Sequence, residues 1–317
     1  NTMPQWAGSC WYYLRYIDPQ NSAKGWAADK ESYWMPVDLY VGGAEHAVLH
    51  LLYARFWHHV LHDLGHVSTR EPFQKLFNQG MILGEDGSKM SKSRGNVINP
   101  DEVIDEYGAD SMRLYEMFMG PLDKAKPWQT KGLQGCSRFI NKLWNKVCSS
   151  DGLNENITSD TAESETIKLK HQTIKKVSDD IENLRFNTAI SQMMIFTNHL
   201  TTLKSINREI LQTFAQLLAP FIPHTAEEIW QRLGNENSIT YEQWPDYDEE
   251  LAKENIISIA IQVNGKLRAN IEIDANTEEG DVLQLAKEND RIDNYIGGKE
   301  LIKEIYVPGR LINFVVK

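Results

Sequence analysis

Two spacings of apolar positions run along this chain, and the place where one gives way to the other divides it. Up to about residue 80 the pattern is mixed. "VDLYVGG" reads as a short apolar strand that stops at Gly42-Gly43. "AEHAVLHLLYARFWHHVLHDLG" follows with helical periodicity and ends at Gly65, a C-cap glycine. A strand, two glycines and a helix are what a doubly wound sheet offers at its ligand edge. "LFNQGMIL" is a further strand candidate. Beyond it, Asn99-Pro100-Asp101-Glu102 supplies an N-cap, a first-turn proline and early acids. This predicts a helix to about Glu106, with a second over "ADSMRLYEMFMG".

From about residue 128 to 233 the apolar spacing is that of long amphipathic helices. "GLQGCSRFINKLWNKVCS", "ETIKLKHQTIKKVSDDIENL", "NTAISQMMIFTNHLTTL" and "REILQTFAQLLAPF" succeed one another, so a helical bundle is expected. The polar stretch "DGLNENITSDTAESET" between the first two predicts a mobile connector. "WPDYDEELAKEN" then leads into a module where the period falls to two. In "ISIAIQVNGKLRANIEI" apolar residues alternate on both sides of Asn264-Gly265, a strong hairpin signal. A short helix around 278–289 and a strand pair about Pro308-Gly309 complete a compact α+β unit.

At 317 residues and 41% hydrophobic, the chain can bury a real core. No apolar run is long enough to span a bilayer, so no membrane partner is expected. Cys10, Cys136 and Cys148 lie far apart without metal-site spacing, which points to a reducing, cytoplasmic setting. A formal net charge of -11 argues against a wholesale nucleic-acid coat, though not against a local basic path. The opening "NTMPQW" has neither an initiator Met nor a targeting pattern, so a truncated or split protein is expected.

Against that charge, "GEDGSKMSKSRGNVINP" places Lys89, Lys92 and Arg94 on one glycine- and serine-rich loop. Lysine brings compact positive charge, and serine hydroxyls with backbone N–H groups donate hydrogen bonds, a combination suited to phosphate. It is not the GxxxxGK[ST] pattern that precedes a helix in P-loop proteins, and a kinase-like phosphotransferase lacks support. Residue chemistry alone reaches an anion-binding loop beside an α/β sheet, with a solvated surface turn as the alternative. His46, His50, His58 and His62 recur at multiples of four, but the stripe is too long for one ion and no metal site is expected. His58, His59 and His62 read as surface residues.

"KMSKS", Lys89–Ser93, is identical to the second signature of the class I aminoacyl-tRNA synthetases. "GGAEHAVLHLLYARFW", "GNVINPDEVIDEYGADSMRLYEMFMGP" and "LAPFIPHTAEEIW" match the same family in order and spacing, and the whole chain resembles its bacterial leucyl members. The resemblance implies an α/β partial Rossmann fold, an all-α helical bundle and a small α+β C-terminal domain. Its divisions would be 1–80, 81–125 for the loop and connecting helices, 126–250 for an anticodon-binding-type bundle, and 251–317. It implies ATP and leucine as substrates, Mg²⁺ accompanying ATP, the tRNA for leucine as partner, and a monomer when full length. Lys89 and Lys92 would neutralise the polyphosphate in the transition state, Lys92 foremost, with Met90 and Ser91 shaping the loop against the nucleotide. Gly43, Glu45 and His46 would surround the adenylate ribose, although first-turn helix-dipole compensation explains Glu45 as well. Trp6, Ser9, Tyr12 and His46 would line the amino-acid pocket, an aromatic run that otherwise reads as core. Arg94, Lys131, Arg138, Lys142 and Lys146 are candidate tRNA contacts, a solvated basic face being the alternative, and Lys266, Arg268 and Arg310 are candidates in the terminal module.

The family's first signature and its editing insertion are absent from this sequence, so the chain by itself is expected to be inactive. The competing class is a noncatalytic RNA-binding module derived from such an enzyme. The intact Lys89–Ser93 signature and the GGAEH segment favour the catalytic reading, because a pure binding module needs no phosphate chemistry.

Overall fold

The computed structural model describes residues 6–253, 256–274 and 277–317. It contains two compact units. One holds the residues up to Ala162 together with Lys176–Pro245; the other holds Glu163–Lys175 and Asp246–Lys317.

In the first unit, α1 (Tyr12–Ile17) and α2 (Ala28–Trp34) lead into β1 (Val37–Val41), which is followed by α3 (His50–Asp63) and β2 (Phe73–Phe77). β1 and β2 are parallel, with Val37 opposite Phe73 and Val41 opposite Phe77. Tyr13, Leu14, Met35, Ala54 and Val67 form the core beneath them. Gly65, at φ 77°, ends α3 as expected. The start differs from the sequence reading, because Ala44–His46 is a separate 3₁₀ turn and α3 begins only at His50. Leu52, Phe56, Val60 and Leu64 leave an apolar stripe of α3 exposed.

"LFNQGMIL" is not one strand. Its first two residues end β2, and Ile82–Leu83 form β3, which pairs in parallel with β4 (Lys126–Pro127). The break lies at Gly80, where a Cβ would stand 2.0 Å from the Lys124 carbonyl oxygen. Between β3 and β4 run α4 (Pro100–Tyr107) and α5 (Ala109–Phe118). Asn99 caps α4 by accepting from the Asp101 N–H at 3.1 Å, the role its position predicts.

α6 (Thr130–Val147), β5 (Ile157–Thr158), α7 (Ser164–Glu182), α8 (Phe186–Thr202), β6 (Ile206–Asn207), α9 (Arg208–Leu218) and α10 (Pro223–Arg232) follow. α6 buries Leu133, Cys136, Phe139, Leu143 and Val147, α8 buries Ile190, Met193, Phe196 and Leu200, and α9 adds Leu211, Phe214 and Leu218. These are the inward stripes that 3.6-residue periodicity dictates. The polar segment expected to be a mobile connector instead pairs Ile157 with Ile206 and bridges Cys148 to Leu153. α10 begins where Asp110 of α5 accepts from the backbone N–H groups of His224 and Thr225 and from both side chains.

The second unit contains α11 (Glu249–Ala252) and then β7 (Ile256–Val263), β8 (Lys266–Asp274), α12 (Glu279–Lys287), α13 (Asp290–Ile296), β9 (Leu301–Val307) and β10 (Leu311–Val316). Strand order is β8-β7-β10-β9, with β10 parallel to β7 and the other pairs antiparallel. Asn264 and Gly265 both have positive φ, 50° and 76°, as a type I′ turn requires. Ile259, Ile261, Ile312 and Phe314 are fully buried against Val282 and Ile292 of the two helices, α13 being one helix more than the sequence pattern predicts.

Candidate active site

The carboxyl end of β1 gathers polar groups from four segments. Tyr40, near the end of the strand, holds its hydroxyl 2.5 Å from that of Tyr12 on α1 and 2.6 Å from Nε2 of His50, the first residue of α3. The His46 and His50 rings meet edge to face with centroids 6.2 Å apart. Burial pushes the Tyr40 phenol well above its ordinary range and holds the His50 imidazole below its own, the neighbouring His46 adding to the second effect. Near neutral pH both are uncharged hydrogen-bonding groups. Glu45 folds its carboxylate back over Gly43, where a Cβ would stand 2.5 Å from both oxygens. Glycine at 43 leaves that space open.

Of the sequence-predicted residues, Tyr12, Gly43, Glu45 and His46 therefore lie around this strand end, joined by Tyr40 and His50. Trp6 and Ser9 occupy the turn before α1, and the Ser9 hydroxyl donates to the Trp6 carbonyl at 2.9 Å. Tyr40 had a legible signal, the penultimate position of a strand that runs into Gly42-Gly43. A cleft of about 590 Å³, walled by Tyr13, Trp34, Met35 and Leu39 among others, shares none of Trp6, Ser9, Tyr12 or His46.

The histidine stripe breaks up in three dimensions. His46 lies outside α3, and His58 is fully buried rather than exposed. Its Nδ1 meets the Tyr13 hydroxyl at 3.0 Å and its Nε2 the Thr69 carbonyl at 2.9 Å, and burial lowers its pKa. His59 meets Glu71 at 3.0 Å. Among the described residues no group of three His, Cys, Asp or Glu side chains is arranged to hold a metal ion.

The basic loop leaves β3 at Gly84 and reaches α4 at Asn99. Asp86 accepts from the backbone N–H and the hydroxyl of Ser88, which hold its carboxyl below the usual range, with Asn96 adding to the effect. The Asn96 carboxamide lies at the loop's centre, and its Oδ1 accepts the Ser91 N–H at 2.9 Å. Lys92–Arg94 forms a 3₁₀ turn closed by Gly95 at φ 67°. Lys89, Lys92 and Arg94 are exposed, and among the described residues neither lysine ammonium has an ion-pair or hydrogen-bond partner. Glu85 ties the loop's start to α6, accepting from the Thr130 hydroxyl at 2.7 Å.

On α6, Lys131 and Arg138 are exposed. Lys142 donates to Asn198 at 2.7 Å and Lys146 to the Leu203 carbonyl at 2.7 Å, so both ammonium groups are bonded to α8 and its end. In the second unit, Lys266 and Arg310 stand exposed at turns, whereas the Arg268 guanidinium stacks over Tyr295 at 4.2 Å.

Comparison with known proteins reaches both units. Residues 19–128 match the family model "tRNA synthetases class I (I, L, M and V)", and 165–284 match "Anticodon-binding domain of tRNA ligase". The leucine--tRNA ligase of Chlorobaculum parvum is 56% identical over all of this chain and 39% of its own length. That of Chloroherpeton thalassium is 55% identical over all of this chain and 40% of its own. The chain thus spans about two fifths of the curated relatives it matches. Among solved structures, the LeuRS of Agrobacterium radiobacter K84, crystallised as a ternary complex with tRNA and LeuAMS, aligns over 98% of this chain and 41% of its own with a TM-score of 0.73 and 34% identity. Among the described residues no helix is long and apolar enough to cross a membrane. Along its whole length the chain is similar to leucine--tRNA ligases, and residues 19–128 of it match the class I tRNA synthetase family model.

Proposed function

We propose that this chain is part of an enzyme that attaches leucine to its tRNA through leucyl-adenylate. The observation that carries the reading is the Lys89–Ser93 loop, whose two lysine side chains are exposed and without a partner among the described residues, on a backbone held by the loop's own hydrogen bonds. In the first step the leucine carboxylate attacks the α-phosphorus of ATP and pyrophosphate leaves. Lys89 and Lys92 meet the negative charge that gathers on the leaving phosphates, Lys92 foremost, and Met90 and Ser91 shape the loop against the nucleotide.

Gly43, Glu45 and His46 border the ribose side of the adenylate. Trp6, Ser9, Tyr12 and His46 line the leucine pocket, and Tyr40 and His50 continue its wall as neutral polar groups. An apolar pocket separates side chains that differ by one methylene by only about 1–3 kcal/mol, which is the reason a separate editing domain accompanies this family. Mg²⁺ arrives bound to the ATP phosphates, since the described residues build no carboxylate cage for it. In the second step the leucyl group passes to the terminal ribose of the tRNA. Arg94, Arg138, Lys142, Lys266, Arg268 and Arg310 contribute to tRNA binding, with Arg94, Arg138, Lys266 and Arg310 the most accessible.

The chain matches about two fifths of a leucine--tRNA ligase, and the remaining part of such an enzyme would complete the site. Mixing this chain with that part, produced separately, and following leucine-dependent pyrophosphate exchange tests the assignment. Exchange only in the mixture supports it. No exchange from a mixture that forms a stable complex favours a noncatalytic RNA-binding module.

A further inference from the structure

We propose that Asn96, braced by Asp86, is a positioning residue that holds Lys89 and Lys92 in one arrangement for catalysis; the inference rests on the polyphosphate reading of the loop. Loops of this length with no regular structure beyond one 3₁₀ turn carry a large ordering entropy, so a fixed geometry needs an internal tie. The Asn96 carboxamide is that tie. Its Oδ1 accepts from the Ser91 N–H at 2.9 Å, while its Nδ2 faces the Lys89 carbonyl at 3.4 Å, the Ser88 hydroxyl at 3.2 Å and the Asp86 carboxylate at 3.2 and 3.3 Å. One amide therefore grips the backbone on both sides of Met90, between the two lysines.

The chemistry of the tie is specific. One end must accept and the other donate, and both must be reached from a short, stiff side chain. Aspartate at 96 would turn a second carboxylate toward Asp86. The sequence also leaves room for the tie, since a Cβ at Gly84 would stand 2.8 Å from both Asn96 Nδ2 and Asp86 Oδ1. Neither Asn96 nor Asp86 carries the positive charge that would meet phosphate, so their contribution passes through the lysines.

This separates positioning from attraction. A loop released from Asn96 keeps both ammonium groups, so ATP is still drawn to it and KM changes little. What is lost is alignment as charge develops on the leaving group, which lowers kcat.

The test is leucine-dependent pyrophosphate exchange in the complete ligase that carries this segment. Asn96→Ala is expected to lower kcat about tenfold while KM for ATP moves less than about twofold. In a Lys92→Ala background the same substitution costs clearly less, about threefold or below, because one of the groups it positions is already gone. Asn96→Asp, which keeps an acceptor for the Ser91 N–H but cannot donate to the Lys89 carbonyl, loses activity about as Asn96→Ala does. An equal loss in both backgrounds, a loss confined to KM, no loss at all, or an Asn96→Asp variant of full activity overturns the inference while leaving the polyphosphate reading intact. If Lys92→Ala is itself silent, the polyphosphate reading falls, and the positioning role falls with it.

Discussion

Replacing Asp110 with alanine removes the one acceptor on which the start of α10 depends. Pro223 opens that helix, and Ile222 before it offers no side-chain bond, so the first-turn N–H groups have no cap from their own segment. Asp110 supplies the cap from α5. Its Oδ2 accepts the Thr225 N–H at 2.7 Å and the Thr225 hydroxyl at 2.6 Å, and its Oδ1 accepts from His224 Nδ1 at 2.9 Å and from the His224 N–H at 3.3 Å. Loss of an N-cap costs about 0.5–2 kcal/mol, and loss of a negative charge at a helix N-terminus about 0.3–1 kcal/mol more. Together these give about 1–3 kcal/mol for Asp110→Ala. For a unit of this size each kcal/mol lowers Tm by about 2–4 °C, so a fall of about 2–12 °C is expected in a thermal melt followed by circular dichroism. Asp110→Asn keeps the acceptor for Thr225 but not the charge, and should fall between the two. An alanine variant that melts within about 1 °C of the parent would refute the cap as the element that orders α10.

Three further outcomes follow from the same geometry. Gly80→Ala forces a methyl group to within 2.0 Å of the Lys124 carbonyl oxygen, so the backbone must move at a cost of about 1–3 kcal/mol, read as a lower urea midpoint; an unchanged midpoint counts against the close approach. His58 has a folded pKa below its ordinary 6.5, so below that pH the unfolded chain binds the proton more readily and stability falls with pH. The His58→Gln variant should accordingly lose less stability than the parent between about pH 7 and pH 5, and an equal loss in both would remove His58 as a source. Lys266→Glu with Arg310→Glu should weaken tRNA binding and reduce its salt slope by roughly 0.7–0.9 per lost phosphate contact; an unchanged slope removes them from the interface.

The features legible in the sequence are those whose cause is local. Asn99-Pro100 starts a helix because an N-cap and a first-turn proline act on their own neighbours, and Asn264-Gly265 makes a hairpin because both residues tolerate positive φ. The helical stripes of α6, α8 and α9 were readable for the same reason. What escaped depends on residues distant in sequence. Gly80 breaks a strand because the chain near Lys124 passes against it. His58 looked like part of an exposed stripe, yet Tyr13 and Thr69 close over it. The polar connector after α6 is paired because Ile206 returns beside Ile157. At the candidate site, motif residues marked the strand end and the loop, whereas the Tyr12–Tyr40–His50 chain and the Asn96 tie exist only once the segments are folded together.

On the polyphosphate reading the two lysine ammonium groups of the loop after β3, without partners among the described residues, stabilise the pyrophosphate leaving group of ATP. Its most direct test is the rate of leucyl-adenylate formation, followed by single-turnover quench in the complete ligase carrying Lys89→Ala and Lys92→Ala together. A fall of at least about a hundredfold is expected, with leucine affinity unchanged. A normal rate of adenylate formation in that variant would contradict it.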